Sequence, residues 1–461
     1  MGFWKVTRAP SALVLILAFF AAANALIVIF ADSSCHQIDG ACARQHDIYA
    51  SPTARSLLED GRLGDPTNPD APWTYRQWPP ISGLVMAVAL LTNGGQDLYP
   101  LVALQVLMLL AMGFLVRGVL SGHSKGLGDV GLAMVIFNPN ALAGAHLPAN
   151  ETLCALLLTT SFVLLYRYGL RRTAGLAAAC AAVLALSLLV RPTGQFLIPP
   201  MPLIFVLAAT TGGGATQWRA GLRHGVVALG VTLAVLAPWL AFQVNAGVGP
   251  RIAGPSAEQL HMAFNLSYLT AEMPGEGNGP WRQGFQAEQL TELQRTHPDW
   301  DALNVVQQDF LRLDHARSYL LSFPFDARTF GIAFAKSTIR FFVSGGEGEI
   351  HSLFGMEGNP AANPAAFWSI KVTAIGYALI LRVLGLLGLW MLFVRRDWLL
   401  LLTCTGMIVY FWLTSLALGK PRFRLMVEPE LMILAAFGVV AVLSLLARPR
   451  PSLLALSTGP R

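Results

Sequence analysis

Apolar residues gather along this chain in long runs separated by short polar turns, and ten of the runs approach the length of a bilayer crossing. They cover 12–31, 98–116, 127–146, 152–168, 174–190, 194–210, 226–242, 370–394, 399–418 and 425–447. About 20 apolar residues suffice for one helix to span the hydrocarbon. A shorter run, 80–92, holds 13 residues. It is too brief to cross comfortably and reads as re-entrant or surface-lying. The expected fold class is an all-α polytopic membrane protein, a bundle of about 10–12 membrane helices.

Two polar stretches interrupt the pattern, 32–79 and 245–369. Neither fits in hydrocarbon, because every peptide group outside a helix would need water. They divide the chain into an N-terminal membrane module (1–244, including the loop 32–79), a loop region (245–369) and C-terminal membrane helices with a short tail (370–461). Within the second stretch, 273–284 is rich in Gly, Pro and Asn and predicts irregular structure. Leu303, Val306, Phe310, Leu313 and Leu320 then recur at helical spacing until Pro324 interrupts. Residues 327–343 are apolar but carry Lys336 and Arg340. That segment is expected to lie in the interface with its cations reaching towards headgroups.

Charge sets the orientation. Charged residues make up 13% of the chain, about half of what a soluble domain carries. Arg167, Arg171 and Arg172 follow one apolar run, Arg219 and Arg223 another, and Arg395 and Arg396 a third. Lys5 and Arg8 precede the first run, while Arg448 and Arg450 follow the last. Such clusters face the cytoplasm. The two polar stretches hold seven and thirteen of the 26 acidic residues and are placed on the opposite side. The first run has a basic start but is too long for a typical signal-peptide core, so it is expected to stay as an anchor. The Ala, Leu, Gly and Arg-rich composition suggests a bacterial inner membrane with both loops periplasmic.

Cysteine usage fits that sidedness. Cys35 and Cys42 fall in the first loop, where an oxidising compartment would allow a local disulfide; two unrelated thiols are the alternative. Cys154, Cys180 and Cys404 fall within apolar runs and read as small core residues.

Candidate chemistry collects on the loop side. His46, Asp47 and Tyr49 lead into an amphipathic segment, and Arg76 and Trp78 stand just before Pro79-Pro80. A carboxylate there can take a proton from an acceptor hydroxyl beside a lipid-borne donor; a solvated loop acid is the plainer reading. Glu151 opens a membrane helix on the same side, where helix-dipole capping would account for it but a second catalytic carboxylate would also fit. Arg191, in Arg191-Pro192-Thr193, and Arg422 and Arg424, in Lys420-Pro421-Arg422-Phe423-Arg424, are cations outside the cytoplasm, against the usual bias. They could hold a lipid phosphate or simply anchor helix ends. Glu428 enters the last run within a turn of Arg422 and Arg424 and is expected to pair with one of them. Trp281 could serve as a binding platform or as a headgroup anchor. The sequence has no zinc-type Cys/His spacing, no Gly-rich phosphate loop and no GxSxG elbow, which argues against nucleotide chemistry in a soluble domain and offers no nucleic-acid partner.

In order along the chain, Asp47-x-Tyr49 with Ala54, Leu57 and Gly61, then Pro79-Pro80-Ile81, Glu151-Thr152-Leu153, Arg191-Pro192-Thr193 and Arg422-Phe423-Arg424 leading to Glu428-Pro429 form a series. The series resembles the GT-C class of membrane glycosyltransferases, in the branch of protein O-mannosyltransferases and the lipid A aminoarabinose transferase. The resemblance implies a GT-C-like helical bundle with two large extracytoplasmic loops. It implies transfer of a sugar, with inversion, from a polyprenyl-phosphate carrier in the bilayer to an extracytoplasmic glycolipid, polysaccharide or protein. Asp47 would be the base, with Glu151 orienting the acceptor; Arg76, Arg191, Arg422 and Arg424 would steady the departing lipid phosphate; His46, Tyr49, Trp78 and Trp281 would position substrate. The polyprenyl-phosphate sugar is the implied donor, and the wider class allows a divalent metal that this sequence does not require. A secondary transporter or lipid flippase is the competing reading, though no internal repeat supports it; an envelope polysaccharide polymerase or ligase is a third.

Overall fold

The computed structural model describes residues 11–37, 40, 42, 50–61, 79–95, 97–254, 280–322, 324–356, 363–415 and 421–446, without the side chains of 50–52, 60, 280–286 and 421. In chain order the helices are α1 (Ala12–Phe30), α2 (Ala50–Asp60), α3 (Ile81–Leu91), α4 (Tyr99–Leu120), α5 (Lys125–Ile136) and α6 (Pro139–His146). Then come α7 (Glu151–Arg171), α8 (Ala174–Leu188), α9 (Met201–Gly213), α10 (Trp218–Asn245), α11 (Pro280–Thr296) and α12 (Val305–Ser322). The last are α13 (Ala327–Val343), α14 (Glu347–Leu353), α15 (Pro364–Val394), α16 (Trp398–Ser415), α17 (Pro421–Arg424) and α18 (Glu428–Leu446). No strand occurs among the described residues. This is an all-helical polytopic membrane protein.

Seven of the described helices are long and apolar enough to cross a membrane, and three shorter apolar ones, α3, α8 and α9, accompany them. Three of the ten expected runs therefore depart from a plain span. The run 127–146 is cut at Asn138-Pro139, because proline has no N–H to donate and its ring clashes with the preceding turn. Asn138 makes the break a fresh start: its side-chain oxygen accepts from the Ala141 N–H at 3.1 Å and caps α6. The runs 174–190 and 194–210 become helices of 15 and 13 residues, about 20 Å long at 1.5 Å per residue. Between them Arg191-Pro192 opens a 3₁₀ turn over Pro192–Leu197. The segment 80–92 yields the 11-residue α3, too short to cross.

Lipid offers no hydrophobic drive for helices to associate, so close approach of small residues carries much of the packing. The contact between α15 and α18 shows how. A Cβ on Gly388 would lie 1.8 Å from the Leu434 carbonyl oxygen, and one on Gly438 would lie 1.9 Å from that of Leu384. Each glycine is thus pressed against the other helix's backbone. The outward faces stay apolar, as Phe19, Phe30, Leu386 and Trp390 show. Cys154, Cys180 and Cys404 are buried in the core.

In the second loop, α11 begins at Pro280, so the end of the stretch expected to be irregular is helical; proline suits a first turn, where its missing N–H costs nothing. Helix α12 forms with Val306 and Leu313 buried as expected, but Leu303 precedes it and Asp309, expected on its polar face, is buried beside them with Ala316. Helix α13 buries Ala333, Ser337 and Phe341 at fourfold spacing and leaves its other faces open. Trp412 of α16 donates to the Thr338 hydroxyl at 3.2 Å, fixing α13 against the bundle.

Candidate functional site

The beginning of α7, the end of α8 and the segment before α18 converge at one end of the bundle. Glu151, in the first turn of α7, is buried and accepts from Nη1 of Arg191 at 2.5 Å. The same Nη1 donates to Oδ1 of Asn150 at 2.8 Å. Arg422 approaches the same carboxylate oxygen with its Nε at 3.5 Å. Both guanidiniums also lie over the Phe423 ring, each 5.1 Å from its centroid, so the ring is a shared platform between two cations. Three pieces of sequence far apart in the chain therefore meet at one carboxylate.

The Arg191 turn is braced from below. Tyr410 of α16 donates its hydroxyl to the Thr193 carbonyl at 2.7 Å. Arg191 is almost wholly buried, whereas the Arg422 side chain keeps 30% of its surface exposed. Arg422 opens into a cleft shared with Asn140, Gly144, Leu147, Ala149, Glu151 and Glu349. A neighbouring apolar groove passes Asn150 between α3 and α4, lined by Val85, Met86, Leu101, Met108 and Leu153.

A second cluster lies deeper. Glu428 accepts from Nε of Arg424 at 2.5 Å and from Nη2 of Arg382 at 3.3 Å, with the amides of Asn138 and Asn140 at 3.2 and 3.5 Å. Arg424 is 1% exposed and also donates to the Phe341 carbonyl, while Arg382 donates to that of Phe342 at 3.2 Å. Glu428 therefore has the expected arginine, Arg424, and a second one from α15.

At the root of the first loop, Cys35 and Cys42 are joined as a disulfide. It packs with Leu147 and Leu353, and Asp32 N–H donates to the Leu353 carbonyl at 2.8 Å, so the loop root is tied to α14. His36 follows directly, buried beside Tyr99 with its carbonyl accepting from Leu98 N–H at 2.8 Å. Burial pushes the His36 imidazole below its ordinary pKa, against the opposing pull of Asp32 and Asp97.

Of the sequence candidates, Glu151, Arg191 and Arg422 come together, and Arg424 is drawn away into the Glu428 cluster. Asp47, His46, Tyr49, Arg76 and Trp78 lie outside the described residues, and the Trp281 side chain does too. Sequence reasoning passed over Arg382 and Glu349. A lone cation inside the long apolar run of α15 was the available signal for Arg382, since such a charge needs a partner. Glu349 had only the Gly-Gly pair before it. Among the described residues, no group of three or more His, Cys, Asp or Glu side chains gathers to hold a metal ion.

No family model matches the chain, and no curated protein matches it in sequence. Among solved structures it is similar to ArnT from Cupriavidus metallidurans in two crystal structures. The one bound to undecaprenyl phosphate shares 15% identity over 92% of this chain and 77% of that one, at a TM-score of 0.39. The apo form shares 16% identity over 93% and 78%, also at 0.39. At so low a TM-score the likeness carries no weight for activity, and the site is read from its own residues.

Proposed function

We propose that this protein is an inverting glycosyltransferase that moves a sugar from a polyprenyl-phosphate carrier to an acceptor outside the cytoplasm. One observation carries the reading: Arg422 pairs with a buried carboxylate and lies over an aromatic ring, yet its side chain keeps 30% of its surface exposed where it lines a small cleft beside an apolar groove. A partly exposed arginine anchored at the membrane surface suits a lipid-linked phosphate, which it can meet through paired hydrogen bonds.

In the proposed reaction the acceptor oxygen forms a bond to the anomeric carbon as the bond from that carbon to the phosphate oxygen breaks. The hydroxyl proton passes to Asp47, and the phosphate keeps the electron pair. Arg422, joined by Arg76 from the first loop, meets the charge that develops on the leaving phosphate. Arg191 and Glu151 set the Arg422 guanidinium in place, and Arg424 holds the bundle together beneath it. Transfer takes place at the periplasmic face of a bacterial inner membrane.

The test is mass spectrometry of envelope lipids, glycans and proteins from cells lacking the protein, complemented at matched abundance with the native form, Asp47→Asn or Arg422→Ala. Loss of one sugar addition that only the native form restores is the expected result. An unchanged glycan inventory in the deletion would overturn the reading in favour of transport.

A further inference from the structure

The turn between α6 and α7 covers residues 147–150 and delivers Asn150 and Glu151 to the arginines. Its middle is held from α4. Gln105, in the second turn of that helix and 2% exposed, donates Nε2 to the Ala149 carbonyl at 2.6 Å. An amide that meets a carbonyl oxygen can present only its nitrogen there, so the orientation of the Gln105 side chain is set by chemistry.

That bond acts on one particular peptide group. The Ala149 carbonyl and the Asn150 N–H share a rigid plane, so fixing the oxygen fixes the plane from which the Asn150 Cα departs. Asn150 Oδ1 then accepts from Nη1 of Arg191 at 2.8 Å, and Arg191 shares one Glu151 oxygen with Arg422. Local bonds curl the turn: Ala149 N–H donates to the Leu147 carbonyl at 2.8 Å, and Cys154 N–H to that of Asn150 at 3.1 Å. The Thr152 hydroxyl donates to the Gly144 carbonyl at 2.9 Å and joins α7 to α6 across it. Gln105 ties the curled turn to a third helix.

The surroundings of Gln105 separate its amide from simple packing. With Val85, Met86, Leu101, Met108 and Leu153 it lines the apolar groove, and among the described residues its buried Oε1 has no hydrogen-bond partner. A buried oxygen left unpaired is destabilising, and methionine, of the same length, would avoid it. What the amide offers in return is the Nε2 bond, made in surroundings of low dielectric where it is strong.

We propose that Gln105 is a positioning residue for the carrier phosphate: through the Ala149–Asn150 peptide it sets the Asn150 amide against Arg191, and so keeps the arginine pair at Glu151 in register. The inference rests on the polyprenyl-phosphate reading of the site.

The experiment titrates full-length protein in phosphatidylcholine nanodiscs with undecaprenyl phosphate, and repeats the measurement on Gln105→Met, Asn150→Ala and the double variant. Gln105→Met is expected to bind about fivefold more weakly, the scale of one net hydrogen bond, with thermal melting near that of the native protein. Gln105→Leu removes the same bond with a different shape and should show the same loss, which keeps the test open if the methionine variant melts low. In the Asn150→Ala background, Gln105→Met should weaken binding hardly further, because the link to Arg191 is already gone. An undiminished fivefold loss in that background would mean that Gln105 meets the ligand itself, and overturns the positioning role. Native affinity in both Gln105 variants, or low melting of both, overturns it as well. Failure of the native protein to bind undecaprenyl phosphate overturns the carrier reading, and the role of Gln105 with it.

Discussion

Glu151 and Glu428 each open a membrane helix and each meet two guanidiniums, yet their surroundings separate them. Around Glu428 both arginines are spent: Arg424 and Arg382 also donate to backbone carbonyls of α13, and two asparagine amides add to the carboxylate. Around Glu151 one arginine is buried and braced, and the other faces a cleft. The first arrangement stitches α13, α15 and α18 together inside a medium where an unpaired charge is very costly. The second keeps one cation available at a fixed place. The same residue types thus serve cohesion in one region and recognition in the other, according to how many partners the backbone leaves for each guanidinium.

The strongest way to break this comparison is to remove each carboxylate or arginine in turn and follow stability and activity separately. Glu428→Ala strands two buried guanidiniums and is expected to cost about 3–5 kcal/mol. Thermal melting in detergent checks this, and a native-like Tm would show that the deeper cluster is not structural. Arg422→Ala is expected to lower transfer about 10²–10³-fold while leaving the melting curve nearly in place. If activity and Tm fell together, Arg422 would belong with Arg424.

Smaller changes sharpen the contrast. Gly346→Ala forces a side chain into a left-handed turn against Asn140 and should cost about 1–3 kcal/mol. Because Asn140 lines the cleft and also reaches Glu428, both regions should feel it. Differential scanning fluorimetry, with ligand binding measured alongside, reads the two effects.

The loop root provides the smallest effect and a sign. Burial lowers the His36 pKa, so below about pH 6.5 the unfolded chain takes up a proton that the folded one resists. The unfolded state then binds more protons, and stability rises with pH. His36 should therefore favour the fold above about pH 6.5 and withdraw that contribution as the pH falls below it. His36→Gln should flatten that part of the Tm profile; an unchanged slope would assign it to another group.

Much of this was legible from residue order. Hydropathy is a local property, so the long spans of α4, α7, α10, α15 and α18 follow from runs of side chains that each prefer lipid. The arginine-rich ends of the spans predict a common side for Glu151, Arg191 and Arg422, and these three meet at one carboxylate. Breaks were harder to read, because whether Asn138-Pro139 kinks a helix or ends it depends on what can satisfy the freed backbone groups. Here Asn138 caps the new helix and reaches Glu428 at once.

The residue order by itself determined that this is a polytopic helical membrane protein and singled out Glu151, Arg191 and Arg422 as charges at the ends of its apolar runs. The packed fold alone sorted Arg422 from Arg424, two residues apart in the same motif, and brought Arg382 and Glu349 to the two clusters. The reason is physical: preference for lipid or water is carried by each residue and its neighbours in sequence. Whether a charge is spent or available depends on partners from other helices, such as Phe341 for Arg424 and Glu151 for Arg422, which only the packing of helices brings within reach.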